Sequence, residues 1–246
     1  MVINEEHKLL FIGIPYSASS AIIKELIENY KCTPLMHKHA NIPFLLKKRK
    51  DINLQEYHIT AVKRNPIEIE FSVYNKMKTN AYGVFTNEDF FLEKGGHVRR
   101  KARQTFQKIH NNKWTFIDYL KNTYSIIPYD NFLSENKKYV DQWIDFENLE
   151  AGFSKMLKTT GIIQKRPLPV YNKTKKVISG DEVPEKMIRH IFGPFIFYND
   201  LNKYNYSVKN IGLINYLKFL IFRKIKHFKW KKRDKLTSRN LNSSYD

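Results

Sequence analysis

Cysteine is nearly absent from this chain: Cys32 is the only one in 246 residues, which excludes an intrachain disulfide. Long apolar runs are also missing near the start, because the first one, residues 9–14, is too short for a signal peptide or a membrane anchor. The sequence therefore predicts a cytoplasmic protein. The Gly-x-x-x-x-Gly-Lys-Ser/Thr consensus does not occur either, which argues against a site that hydrolyses nucleoside triphosphates.

Acidic residues are few: 24 Asp and Glu stand against 43 Lys and Arg, and the formal net charge is +19. Such an excess predicts acidic partners, and the candidates are a nucleotide, an acidic glycan, an anionic membrane surface and a nucleic acid. Nucleic acid has the least support, because no base-reading motif accompanies the charge. Hydrophobic residues make up 42% of the chain, which excludes wholesale disorder.

An apolar strand followed by a serine-rich turn is the first candidate site. Residues 9–14 are apolar, Pro15 ends the run, and small residues lead into a helical pattern from Ala21. The unpaired N–H groups and the positive dipole end of such a helix favour phosphate or sulfate. Alternatively, Ser17, Ser19 and Ser20 only cap the helix.

A second strand, residues 57–63, ends next to Arg64, and Pro66 suits the first turn of the helix that follows. Ser72 lies eight residues beyond Arg64, a little over two helical turns. A guanidinium at a strand end and a hydroxyl from the next helix can converge on one anionic group. The alternative is a solvent-facing arginine and an ordinary helix serine.

These two segments resemble motifs of the sulfotransferases that use 3′-phosphoadenosine 5′-phosphosulfate (PAPS). FIGIPYSASSAI resembles their 5′-phosphosulfate loop, and VKRNPIEIEFSVYNKM resembles their 3′-phosphate motif. Further segments resemble the carbohydrate-type branch in the same order: MHKHANIPFLL, VDQWIDFENLEAGFSKMLKTTGI, LPVYNKTKK and FYNDLNKYNYS. The resemblance implies an α/β domain over residues 1–208, with a P-loop-like three-layer fold in which helices flank a parallel sheet.

The resemblance also implies a reaction and a binding site. The reaction is transfer of a sulfuryl group from PAPS to a hydroxyl, of a carbohydrate acceptor, without a metal. Arg64 and Ser72 would bind the 3′-phosphate, and Lys173, in a predicted loop, is available to the same anionic co-substrate. The 5′-phosphosulfate would lie against residues 16–21, namely Tyr16, Ser17, Ala18, Ser19, Ser20 and Ala21.

Tyr16 is the main departure from the family pattern, because a lysine ordinarily occupies this position. The phenol lacks the cation that stabilises charge on the leaving phosphate, although its hydroxyl can still donate a hydrogen bond. We therefore consider Tyr16 a candidate catalytic residue. The alternative is a non-catalytic module that binds a nucleotide or another polyanion.

Histidines are candidates for the general base that removes the proton of the acceptor hydroxyl. His97 and His110 lie in a basic helical stretch, and His97 is our candidate catalytic residue, with a surface histidine as the alternative. His37 and His39 lie two residues apart without a cysteine or carboxylate cluster at zinc spacing, so no metal site is expected.

The remaining pattern predicts element bounds. Residues 1–7 are expected to be a polar lead and residues 80–96 an irregular loop over the acceptor site. Strands are predicted at 8–15, 57–63 and 139–146, and helices at 18–30, 42–50, 67–79, 97–110, 115–121, 148–159 and 184–203.

Residues 209–246 are predicted to be a separate basic, aromatic-rich helix followed by a disordered end. Nine Lys and Arg and one acid, Asp234, lie between Lys218 and Lys235, interleaved with apolar residues. This composition is typical of helices that lie on anionic lipid, here at the inner face of the membrane. The alternative is a helix packed on the domain with its lysines in water.

Overall fold

The computed structural model describes residues 1–123 and 136–169, together with single positions 183, 184, 187, 213, 214, 217, 221, 225 and 228. Over this part the chain is a mixed α/β protein. The strands are β1 (Val2–Asn4), β2 (Leu9–Ile12), β3 (Thr33–Pro34), β4 (His58–Lys63) and β5 (Gln142–Asp145). The helices are α1 (Ser19–Asn29), α2 (Ile42–Lys48), α3 (Pro66–Lys78), α4 (Arg100–Asn111), α5 (Phe116–Thr123) and α6 (Leu149–Thr159).

The strands form one sheet in the order β3-β1-β2-β4-β5. Strands β2, β4 and β5 are parallel, with Leu9 opposite His58 and Thr60 opposite Gln142. Strand β1 is antiparallel to both β2 and β3, so the sheet is mixed. The prediction of a parallel sheet is therefore correct only for these three strands. A turn at residues 5–8 joins β1 directly to β2, and so short a connection permits only antiparallel pairing.

The prediction that residues 1–7 are a polar lead is wrong. Met1, Val2, Ile3 and Asn4 are all buried, and Val2 and Ile3 belong to β1. Only two residues of this strand, Val2 and Ile3, are apolar, which is too few for a periodic pattern to be detected.

Helices cover both faces of the sheet, as predicted. Successive strand residues point to opposite faces, so Leu9 and Phe11 join one hydrophobic cluster while Leu10 and Ile12 join the other. The first cluster is completed by α1 and α6, and the second by residues of α2, α3, α4 and α5. Three layers result, with the core on either side of the central strands.

Most predicted bounds agree with the structure to within a few residues, but two strands are shorter: β2 ends at Ile12 and β5 begins at Gln142. The segment predicted as irregular consists of three short 3-10 helices, Ala81–Gly83, Glu88–Phe90 and Leu92–Lys94, and a bridge between Phe91 and Val98. The predicted helix 184–203 and the domain boundary at 208 lie almost wholly outside the described residues.

Candidate anion-binding site

The carboxyl ends of the three parallel strands meet at one edge of the sheet. Residues 13–18 follow β2, Arg64 and Asn65 follow β4, and Phe146 follows β5. Helix α1, after β2, packs on one face, whereas α3, after β4, packs on the other. Because the two connections leave toward opposite faces, they flank a crevice of the kind in which open α/β sheets bind ligands.

The loop after β2 has an unusual backbone. Tyr16 and Ala18 both have left-handed conformations, with φ of 62° and 57°, although neither is glycine. Ala18 is the N-cap of α1 and makes no side-chain cap. Within the described part of the chain, the N–H groups of residues 17–20 donate to no acceptor. These donors surround the positive end of the α1 dipole, which is an arrangement suited to an oxyanion.

The serines of this loop hold its shape. The Oγ atoms of Ser17 and Ser19 both donate to the carbonyl oxygen of Ile14, each at 2.8 Å, and both residues are buried. Neither Ser17 nor Ser19 therefore caps α1 with its side chain. Because these hydroxyls are committed to Ile14, a ligand would meet the backbone of the loop, with Ser20 exposed beside it.

Gly13 and His39 anchor the start of the loop. The His39 ring, through Nδ1, hydrogen-bonds to the Gly13 carbonyl oxygen at 2.7 Å. Burial lowers the pKa of His39 to about 4, so the ring is neutral at physiological pH and donates here. A Cβ on Gly13 would lie 2.4 Å from the Lys38 carbonyl oxygen, which explains why only glycine fits.

The ring of His37 packs against Phe44. Among the described residues no group of three or more metal-ligating side chains occurs.

Arg64 connects the elements of the crevice. Its Nη1 donates to the Tyr16 carbonyl oxygen at 3.1 Å, and its Nη2 donates to Ser72 Oγ at 2.9 Å. The guanidinium lies over the Phe146 ring, 4.0 Å from its centroid, and the side chain is only 12% exposed. The structure thus brings together Arg64 and Ser72, which the sequence predicted to converge, and ties both to the loop.

The charge around Arg64 is only partly balanced. Glu68 Oε2 lies 3.8 Å from Nη2, which is a weak ion pair. Arg64 Nε is buried and has no hydrogen-bond partner in the described structure. Burial lowers the pKa of Arg64, and the carboxylates of Glu68 and Glu147 oppose that shift. A guanidinium that is desolvated and keeps a free donor is suited to an incoming anion.

Two residues of this site were not predicted from the sequence. Phe146 lies at the end of the third parallel strand, so its position follows only once the strand order is known. Lys76 is half-buried on α3, four residues after Ser72. Burial, and then the charge of Arg64, lower the pKa of Lys76. The i, i+4 spacing from Ser72 was a usable signal, since such residues share one helix face.

Tyr16 contributes its main chain to the contact with Arg64. Its side chain is 44% exposed, yet burial of the phenol raises its pKa, with a further increase from buried Glu70 and a decrease from Arg99. The phenol oxygen, which becomes charged only when it loses its proton, is therefore more desolvated than the residue as a whole. The Tyr16 phenol is neutral at physiological pH and able to donate a hydrogen bond.

The other predicted residues make no contact with Arg64 in the described structure. His97 is exposed in the segment before α4, and its ring lies edge-on to Phe90 with centroids 5.8 Å apart. The role of His97 as a general base stays a prediction. His110 hydrogen-bonds through Nε2 to the Met77 carbonyl oxygen, which is a structural contact. Ala21 is buried in the first turn of α1, and Lys173 lies outside the described residues.

Two surface depressions, of about 350 and 450 Å³, lie away from the strand ends. The first is bordered by Gln104, Lys108 and neighbouring residues of α4, and the second by residues of α6 and the turn after it. Neither contains a buried charge. At the strand ends, in contrast, the side chain of Arg64 itself spans the crevice from Tyr16 to Ser72.

The chain matches no protein-family profile, no curated protein and no solved structure.

Proposed function

We propose that this protein is a PAPS-dependent sulfotransferase that transfers the sulfuryl group to a hydroxyl of a carbohydrate. The observation that supports this most is the contact of Arg64 with Ser72 at 2.9 Å, beside the unpaired N–H groups of residues 17–20. The two motifs that resemble the nucleotide-binding segments of the family thereby adjoin each other. The proposal includes a P-loop-like arrangement of β2, its loop and α1.

The proposed reaction is a direct displacement at sulfur. The acceptor oxygen forms a bond to sulfur, the bond from sulfur to the 5′-phosphate oxygen breaks, and the hydroxyl proton passes to a base, for which His97 is the candidate. Charge develops on the departing 5′-phosphate. The backbone donors of residues 17–20 and the α1 dipole would stabilise that charge. Arg64 and Ser72 would hold the 3′-phosphate and fix the orientation of the nucleotide.

Calorimetric titration with 3′-phosphoadenosine 5′-phosphate (PAP) tests the proposal directly. An arginine bonded to a phosphate contributes about 1.5–3 kcal/mol per charge-assisted hydrogen bond, so Arg64→Ala should weaken binding about tenfold or more. Arg49→Ala is the matched control, since Arg49 pairs with Asp51 on the surface. Unchanged PAP affinity in a folded Arg64→Ala variant would contradict the assignment.

A second candidate function is a binding module without turnover. The observation that favours it is Tyr16, whose neutral phenol stands where the resembled family carries a cation. This protein would bind PAP as proposed but would transfer no sulfuryl group to any acceptor. Release of PAP from PAPS in the presence of a glycan panel distinguishes the two functions.

We further propose a peripheral association with anionic membrane surfaces through residues 213–228. At the six described positions of this segment the backbone is helical, and each side chain is large, apolar and 48–70% exposed. On one α-helix, at 100° per residue, these six sequence positions would fall within one third of the circumference. They are Leu213, Ile214, Leu217, Ile221, Ile225 and Phe228.

Lysines and arginines of the same stretch of sequence supply the charge that anionic lipid attracts. Within the described residues no helix is long and apolar enough to cross a bilayer. An interfacial position of the segment accounts for both its apolar stripe and its charge.

A further inference from the structure

Helix α3 carries a second cation on the face that Arg64 contacts. Ser72 and Lys76 are one turn apart in this helix, and Ser72 Oγ accepts from Arg64 Nη2 at 2.9 Å. Side chains of a helix tilt toward its N-terminus, so Lys76 leans toward Ser72 and away from the helix end. Lys76 therefore shares with Ser72 the face of α3 that Arg64 contacts from the end of β4.

The surroundings of Lys76 are unfavourable for a free ammonium group. The side chain is half-buried, and the charged neighbour that acts on it is Arg64, which has the same sign. Both influences lower the pKa of Lys76. Among the described residues, the carboxylate in ion-pair contact with Arg64 is that of Glu68, at 3.8 Å, and the buried Nε of Arg64 has no hydrogen-bond partner. Two desolvated cations around one hydroxyl are stabilised by a doubly charged anion.

We propose that Lys76 is a third ligand of the phosphomonoester held by Arg64 and Ser72, and that it makes the site selective for nucleotides with a 3′-phosphate. The identity of the ligand rests on the proposed function. In that proposal Arg64 and Ser72 bind the 3′-phosphate dianion, and the loop of residues 17–20 binds the 5′-group through its backbone; Lys76 adds a second cation to the 3′-phosphate.

Two nucleotides separate these sites. PAP carries both phosphates, whereas adenosine 5′-monophosphate carries only the one assigned to the loop. Lys76→Gln should weaken PAP binding about tenfold and leave the affinity for adenosine 5′-monophosphate within about twofold. Lys76→Arg should restore most of the PAP affinity, because it keeps the charge.

Lys78→Gln is the matched control, because Lys78 lies two residues farther along α3 and so on the opposite side of the helix. It should change neither affinity. A merely structural role of Lys76 would lower the affinity for both nucleotides together, and the thermal midpoint of each variant reports such a loss of fold.

These titrations separate the role of Lys76 from the proposed function of the protein. If the wild-type chain binds PAP and Lys76→Gln binds it equally well, or loses affinity for both nucleotides alike, Lys76 is not a ligand of the 3′-phosphate, while the proposed function stands. If the wild-type chain does not bind PAP at all, the proposed function and this inference fail together. A loss confined to PAP, with rescue by Lys76→Arg, supports the inference.

Discussion

Among single residues, Tyr16 is the one for which the two proposed functions, sulfotransferase and binding module, predict different behaviour. Its phenol is neutral, because burial raises its pKa, and so it offers a donor but no positive charge. Tyr16→Lys adds the cation, and we expect it to raise the rate at which PAPS is consumed, with PAP affinity changed by less than about threefold. Single-turnover measurement of PAP release checks this rate.

The control for Tyr16→Lys is Tyr16→Phe, which removes the hydroxyl and adds no charge. If the hydroxyl of Tyr16 already serves as the donor to the leaving phosphate, both variants should be slower than the wild type. No turnover by any of the three proteins across a broad glycan panel would favour the binding module over the enzyme.

Individual residues also show how far the sequence could lead. Arg64 and Ser72 could be paired from a strand end and a spacing of two turns, because helix geometry is regular. The partners that the structure adds, the Tyr16 carbonyl oxygen and the Phe146 ring, depend on which strands are neighbours and could not be predicted locally. The burial of Ser17 and Ser19 could not be predicted from the sequence either, since serine occurs in helix caps, in binding sites and in turns.

At the scale of elements, the junction of β2 with α1 stores backbone strain. Ala18 has φ 57° and ψ 12°, a left-handed conformation that costs a residue other than glycine roughly 1–2 kcal/mol. Replacing Ala18 by glycine removes this cost, but the larger conformational entropy of glycine in the unfolded chain offsets part of the gain in stability. Ala18→Gly should therefore raise the free energy of unfolding by about 0.5–1 kcal/mol.

Ala21→Gly provides a control of opposite sign. Ala21 lies inside α1 and is buried, so glycine there should lower the free energy of unfolding by about 1 kcal/mol. For a chain of this size each kcal/mol moves the thermal midpoint by about 2–4 °C, which circular dichroism resolves. Equal losses in the two variants would contradict a strained conformation at Ala18.

Elements were predicted well where their pattern is long and poorly where it is short. Helices α1, α3 and α6 have eleven or more residues and clear apolar periodicity, and their bounds agree with prediction to within about one residue, whereas α4 begins three residues later than predicted. Strands β1 and β3 have three and two residues, and nothing in so few positions distinguishes a strand from a polar lead. Their antiparallel pairing, which makes the sheet mixed, was missed for that reason.

At the scale of the whole molecule, the excess of basic residues and the exposed apolar side chains at the six described positions between 213 and 228 predict binding to anionic vesicles. In the full-length chain, the double substitution Ile221→Glu and Ile225→Glu should abolish sedimentation with phosphatidylserine-containing vesicles at low salt. Both side chains are exposed, 59% and 48%, so their loss leaves no cavity in the core. The substitutions remove apolar contacts and add charges that anionic lipid repels.

Ile163→Glu is the control for this measurement, because Ile163 is 88% exposed but lies elsewhere on the surface. It should sediment like the wild type. Binding of the wild type should also weaken as salt rises, since the Debye length falls from about 10 Å at 0.1 M to about 3 Å at 1 M. Wild-type protein that stays in the supernatant at low salt would contradict the membrane proposal and favour a segment packed on the domain.

The antiparallel end of the sheet has a consequence for crowded solutions. In the described sheet β3 is an outermost strand, two residues long, and one of them is Pro34, which has no N–H to offer. An exposed strand edge is where a second copy of a chain can add its own strand and begin an aggregate. So short an edge, ended by proline, gives such a copy almost no backbone groups to pair with. This side of the molecule is thereby protected against edge-to-edge polymerisation, even though β1 and β2 behind this edge are buried and mostly apolar.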